Sequence, residues 1–317
     1  VTTPRSPEPR PRATRGRSRG GLRARLLVPL SGDPEGTPPW VLRLERGDDR
    51  GLFEEDGAAW TVHAGIPTLV AGIRALLLQA LHPGAMAGVH DWSRYREDPL
   101  GRLSGTVRWV ISLTFGSREQ VEVELGRVGR FHSSVRGEYA AADGERRTYT
   151  AEDAELVEWV HLAFTDAFLT AHERWGGAIP GGADAYVSEW ATAGRLMGVS
   201  DPPRTAAELH ARQHRFLADG TLQGGERVDD VVRFLRAVPV EGVALRTGYR
   251  ILFAGAVATI PREYRRLLGV RRTWLPAVAA TRLVLRIAER GLGAGPRAHD
   301  MARLRLRRLD AAAGPTP

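Results

Sequence analysis

The chain has 317 residues, 43% of them hydrophobic, which is enough for one large core, and a formal charge of +8. Its 45 basic residues are all arginine and it has no cysteine. Lysine Schiff bases, phosphate-loop lysines, disulfides, cysteine nucleophiles and thiolate metal sites are therefore excluded, and any metal must be held by nitrogen or oxygen.

Taken in chain order, residues 1–25 carry 8 arginines against 1 acid and are rich in Pro, Gly and Ser, so they predict a disordered basic tail. The following LRARLLVPLSG breaks at Pro29, too soon for an export signal, and no segment reaches 18 uninterrupted apolar residues. The expectation is a cytoplasmic protein. Residues 26–312 predict a single all-α helical domain, with 313–317 as a disordered C-terminus. Helical periodicity covers about 66–82, 101–115, 117–136, 151–175, 183–197, 205–218, 226–238, 242–257, 261–268, 273–291 and 297–311. WVLRLE at 40–45 is the only strand signal. Pro83 and Gly84 close the first helix, Gly116 and Ser117 punctuate the second and third, and Thr150 with Asp153 forms a capping pair before the fourth. Residues 262–317 hold 13 arginines against 4 acids, while the middle of the chain holds 24 against 32. With the charge gathered at the ends, no nucleic-acid partner is expected. The arginine-rich helices LVLRIAERG and MARLRLRRL are candidates for peripheral membrane contact.

The helix at 117–136 raises a chemical question. At 100° per residue, Val121, Leu125, Val128, His132 and Val135 fall within about 60° of one another, and Arg136 follows one turn after His132 on the same side. An imidazole on an apolar stripe is either a core histidine satisfied by a backbone carbonyl or a ligand to a haem iron, with the arginine meeting a propionate. In the preceding helix Arg102, Thr106, Trp109 and Leu113 share a face. They form either a pocket wall with polar groups at one end, or a plain helix in which Arg102 pairs with Asp98 and Thr106 bonds back to the Arg102 carbonyl.

Other histidines compete. His161 lies with Val157, Phe164 and Phe168 on one stripe and is the closest rival to His132 as an iron ligand. His82, His90 and Asp91 could supply two nitrogens and a carboxylate to zinc or non-haem iron, although a Pro-Gly break separates the two histidines. His172, His210, His214 and His299 sit among charges and read as solvated helix faces.

Five segments in order, ALLLQALHPGAMAGV, RLSGT, FHSSVRG, YTAEDAELVEWVH and LMGVSDPPRTAAEL, resemble the landmarks of the family named for the mycophenolate-pathway oxygenase MpaB and the rubber oxygenase called latex clearing protein, over roughly 50–240. The resemblance implies an all-α fold with a globin-like core and additional flanking helices, b-type haem, and dioxygen chemistry, commonly cleavage of carbon-carbon double bonds in apolar isoprenoids. It makes His132 the proximal ligand and places Arg102 and Thr106 on the distal side. Two departures matter. Gly105 stands where rubber oxygenases carry a lysine that can reach the iron, so the distal position is expected open or water-filled, and HPGAMAGV lacks the acid proposed as a base in rubber cleavage. A third, Ala154 in place of the usual proline, falls at a helix start. The expected function is a haem b-dependent oxygenase using dioxygen on a small apolar, isoprenoid-like substrate other than rubber, in a chamber near Leu69, Leu76, Trp109 and Phe164; the alternatives are a haem-binding protein without turnover, or a basic membrane-surface or nucleic-acid adaptor.

Overall fold

The computed structural model describes residues 38–92, 99–141, 144–240, 242–274, 276–292 and 297–313, with the backbone alone at 99–103 and 292. The tail at 1–25 and the end at 314–317 lie outside the described residues. Among the described residues, fourteen α-helices and one two-stranded hairpin make the fold all-α in substance.

At its centre α3 (Thr68–Gln79) packs along α7 (Ala154–Trp175). Both are buried nearly all round. In α3, Val70, Ala71, Ala75, Leu77 and Leu78 are buried, as are the polar Arg74 and Gln79. In α7 the buried set runs from Leu156 to His172. A helix apolar on every side must be wrapped by others. α2 (Ala58–Ala64) and α8 (Gly182–Leu196) pack on each other at one side, and α9 (Ala206–Ala218) lies on α7. α11 (Val243–Thr259) joins α3 to α13 (Ala277–Leu292). The short α10 (Glu226–Arg236) and α12 (Arg262–Leu267) complete this region.

The first and last described elements close on each other. WVLRLE is not a strand: Pro39 takes the first helical position of α1 (Pro39–Leu42), where its missing N–H costs nothing, and a 3₁₀ turn follows at Arg43–Glu45. The C-terminal α14 (Ala298–Ala313) lies on this turn, with Leu44, Trp60, Phe115, Ala302 and Leu306 forming a small second core. Three of the four arginines of MARLRLRRL are used here. Arg305 is fully buried and donates to the Leu44 carbonyl at 3.0 Å, Arg303 pairs with Glu55 and Asp56, and Arg308 donates to the Gly47 carbonyl. This helix clamps the start of the described chain to its end.

Two helices, 58–64 and α4 (Pro83–Trp92), were not expected. Pro83, read as a stop signal, also starts α4, which is the ordinary use of proline in a first turn. α6 (Arg118–His132) begins at a full capping box between Ser117 and Gln120 but ends four residues before the expected 136. The chain then turns into β1 (Arg136–Ala140), which pairs antiparallel with β2 (Arg146–Thr150), Arg136 opposite Thr150 and Ala140 opposite Arg146. Alternation and the Asp143-Gly144 turn pair carry the hairpin signal, with Gly144 at φ +83°. Before α7, Asp153 is the N-cap, and its carboxylate accepts from the Thr150 backbone N–H and hydroxyl, both at 2.8 Å, so the capping pair forms with roles reversed.

Candidate functional site

The site region is the antiparallel pair of α5 (Pro99–Phe115) and α6, and its register is set by charge. Glu124, buried on α6, accepts from Arg108 Nε of α5 at 3.0 Å and from Arg127 Nε at 3.0 Å, and Arg127 also donates to the Gly105 carbonyl at 3.4 Å. Residue 108 therefore lies opposite 124, and 105 opposite 127. Continued along the pair, the N-terminal half of α5, with Arg102 and Thr106, faces the C-terminal half of α6 that ends at His132.

Burial changes along this pair. Val110, Leu113 and Val121 are buried, at 5%, 0% and 3% exposure. Towards the other end, Thr106 and Trp109 of α5 and Leu125, Val128 and His132 of α6 are only half-buried, and Phe131 is 47% exposed. The stripe read from the sequence is real, but among the described residues side chains fully cover it only at Val121 and, past the end of the helix, at Val135. The phenyl ring of Phe131 lies 6.1 Å from the His132 imidazole. Among the described residues no atom comes within 4 Å of a Cβ built at Gly105 or at Gly129. An apolar stripe, an imidazole at its open end and side-chain space on both helices make a cradle whose chemistry fits a planar apolar group bound through one nitrogen. The side chain of Arg102 lies outside the described residues.

Arg136 is a correction. It does not continue the helix one turn beyond His132; it opens β1 and is exposed, its backbone carbonyl accepting from Trp92 Nε1 at 2.9 Å. The paired Ser133-Ser134, whose hydroxyls turn back to the carbonyls of Arg130 and Phe131, ends the helix.

His161 meets a different fate. It is 1% exposed, neither ring nitrogen has a hydrogen-bond partner among the described residues, and a Cβ on Gly194 of α8 would lie 2.8–2.9 Å from the ring. Burial, with Arg212 adding to it, lowers its pKa to about 4. The imidazole rests on the backbone of a neighbouring helix, where a flat macrocycle has no room. His82, His90 and Asp91 are not brought together: buried His82 contacts Glu155 at 3.2 Å, His90 lies 3.1 Å from Asp91, and Asp91 accepts from the Tyr149 hydroxyl. His210 and His214 are exposed as expected, whereas His172 is buried at 3% exposure, against the solvated face expected for it.

Two buried polar groups had no local sequence signal. His63 of α2 has Nδ1 2.7 Å from Thr114 Oγ1 and Nε2 3.0 Å from the Tyr186 hydroxyl, with Trp190 edge-on to its ring at 4.2 Å. Thr114 donates its one hydroxyl proton to the Val110 carbonyl, so it accepts from His63 Nδ1–H, and Nε2 accepts from Tyr186. Burial, with His172 adding to it, lowers the pKa of His63 to about 3. Arg74 and Asp166 form a buried ion pair between α3 and α7. Burial opposes ionisation of Asp166, but the Arg74 charge and the hydrogen bonds from His210 and Arg74 outweigh it and hold the carboxyl at about 2.

Leu69, Leu76, Trp109 and Phe164, expected to line a chamber, are half-buried and packed against the main core. Two clefts, of about 260 Å³ beside Met86, Tyr139 and Arg227 and about 230 Å³ beside Glu155, Glu158 and Arg215, include none of the site residues.

Residues 60–310 match the family model described as ER-bound oxygenase mpaB/B'/Rubber oxygenase, catalytic domain. The chain belongs to this oxygenase family. The match extends into α14, well past the 240 or so at which the sequence resemblance stops, and includes every candidate site residue. No curated protein and no solved structure gave a significant match.

Proposed function

We propose that this MpaB and rubber-oxygenase family member is a haem b-dependent oxygenase that uses dioxygen on a small, apolar, isoprenoid-like substrate, with His132 as the proximal ligand. The observation that carries the reading is the half-covered stripe on α6 ending at an imidazole, in a family of oxygenase catalytic domains. The chemistry a bound haem b supplies is dioxygen activation at iron.

The chain's own residues do the rest. Leu125 and Val128 give the group an apolar bed, and the end of α6 holds the imidazole by its helix terminus rather than in a sealed core. Arg102 and Thr106 supply a cation and a hydroxyl on the opposite helix, able to orient and hydrogen-bond an oxygen ligand. With Gly105 at the position of the lysine, no atom of a described side chain comes within 4 Å of where a Cβ would stand. Arg136, exposed just after the helix, is the propionate partner in this account.

Expression with haem supply should give a Soret band and stoichiometric iron. His132→Ala should lose both while His161→Ala keeps them. A colourless purified protein, or the reverse order of the two variants, would overturn the assignment. An oxygen electrode with isoprenoid substrates then separates turnover from haem binding alone.

A further inference from the structure

The two arginine-rich helices at the C-terminal end differ in what they do with their outward faces. α13 buries Ala277, Thr281 and Leu285 at i, i+4, i+8, and Thr281 donates to the Ile251 carbonyl of α11 at 3.1 Å. Its opposite face carries Ala279, Leu283 and Ile287 at the same spacing, all exposed, with Leu283 at 59% and Ile287 at 57%. Arg286 and Arg290 flank them on that face. Just before the helix, Trp274 is 92% exposed. The neighbouring α11 runs antiparallel, 251 against 281 and Gly248 against Val284, so exposed Arg246 comes level with Arg286, and exposed Val243 lies near the end of α13, level with residue 289.

The charge around this apolar strip is one-sided. Residues 242–292 hold ten arginines against two glutamates, and among the described residues no ion pair engages Arg246, Arg250, Arg271, Arg272, Arg286 or Arg290. Exposed leucine, isoleucine and tryptophan inside a ring of unpaired guanidinium groups suit a surface that is negative outside and apolar a few ångströms in. We propose that this face of α13, with Trp274 and the start of α11, docks on an anionic lipid bilayer and lies in its interface.

Charge argues against a second copy as the occupant, because a symmetric dimer through this face would bring the same arginines together. No single described helix is long and apolar enough to span a membrane. The inference is independent of the haem assignment, because its readouts need no haem.

The test uses the full-length protein with vesicles of phosphatidylcholine alone or mixed with phosphatidylglycerol. Sedimentation should show binding to the anionic vesicles, weakened by salt, with a blue-shifted tryptophan emission that Trp274→Ser removes. Leu283→Asp with Ile287→Asp should lower partitioning about tenfold or more. Both sites are exposed, so the circular dichroism melt should not change. Arg286→Glu with Arg290→Glu should abolish the preference for anionic vesicles. Unchanged binding of the Asp pair, which would leave the contact to the N-terminal arginines, overturns the proposal. So does equal binding to both vesicles, no binding to either, duplex DNA displacing the vesicles at the same arginines, or a dimer that disappears with the Asp pair.

Discussion

His132 and His161 occupy equivalent places on two amphipathic stripes, and the fold treats them in opposite ways. His161 sits mid-helix on α7, in the wrapped centre of the molecule, and its ring packs on Gly194. His132 sits at the last residue of α6, where the stripe is only half covered. A histidine on an apolar face thus takes its role from what the neighbouring elements leave room for, and not from the face itself. The centre of the fold closes over its polar groups; at the far end of the α5–α6 pair the described residues leave Leu125, Val128 and His132 half-buried.

The strongest way to break this contrast is at the centre. Arg74 and Asp166 are 3% and 6% exposed at their side chains, so removing one partner strands a buried charge. Arg74→Ala should cost roughly 3–5 kcal/mol in urea unfolding, against less than about 1 for a surface pair. A loss in the surface range would mean that water reaches the pair and that the centre is as open as the site.

Acid should distinguish the same regions. The unfolded chain takes up a proton on each imidazole near pH 6.5, whereas burial holds folded His63 to about 3 and His161 to about 4. The stability tied to the two neutral rings is complete above pH 6.5 and is lost as pH falls below it, by about 1.4 kcal/mol per pH unit for each ring. Between pH 6.5 and 5, where the depressed Asp166 stays ionised, His161→Leu should remove about half of this contribution. A slope identical to that of the parent protein would place solvent against His161 and sink the packing account.

Much of this was legible in the sequence, for identifiable reasons. The helices, the stripe on α6 and its histidine follow from a 3.6-residue period, and the capping box at Ser117 is local chemistry. At the end of α6 Val135 extends the apolar spacing past a serine pair that turns the chain, so periodicity alone carries the helix to Arg136, which instead begins a strand. Pro38 and Pro39 made WVLRLE a helix although its residues alternate. Arg74 and His63 carried no signal because their partners lie 92 and 51 or more residues away. The two arginine-rich C-terminal helices looked alike until packing separated them: Arg305 is buried against the Leu44 carbonyl, and Arg286 points outward.

The finest test of the contrast makes one substitution in both regions. A methyl at Gly194 would sit 2.8 Å from His161 Cε1 and 2.9 Å from Pro202 Cβ, so Gly194→Ala should destabilise by about 1–3 kcal/mol as the ring and the following loop are pushed aside. At Gly105 the same methyl enters open space on a regular helix, and the only effect left is the loss of glycine's backbone freedom in the unfolded chain. Gly105→Ala should therefore stabilise the haem-free protein, by up to about 1 kcal/mol in thermal denaturation. The opposite signs come from chemistry that is identical at the two positions, so they measure packing alone. A destabilising Gly105→Ala would mean that side chains already fill the region beside α5, and the cradle for a prosthetic group would be lost with it.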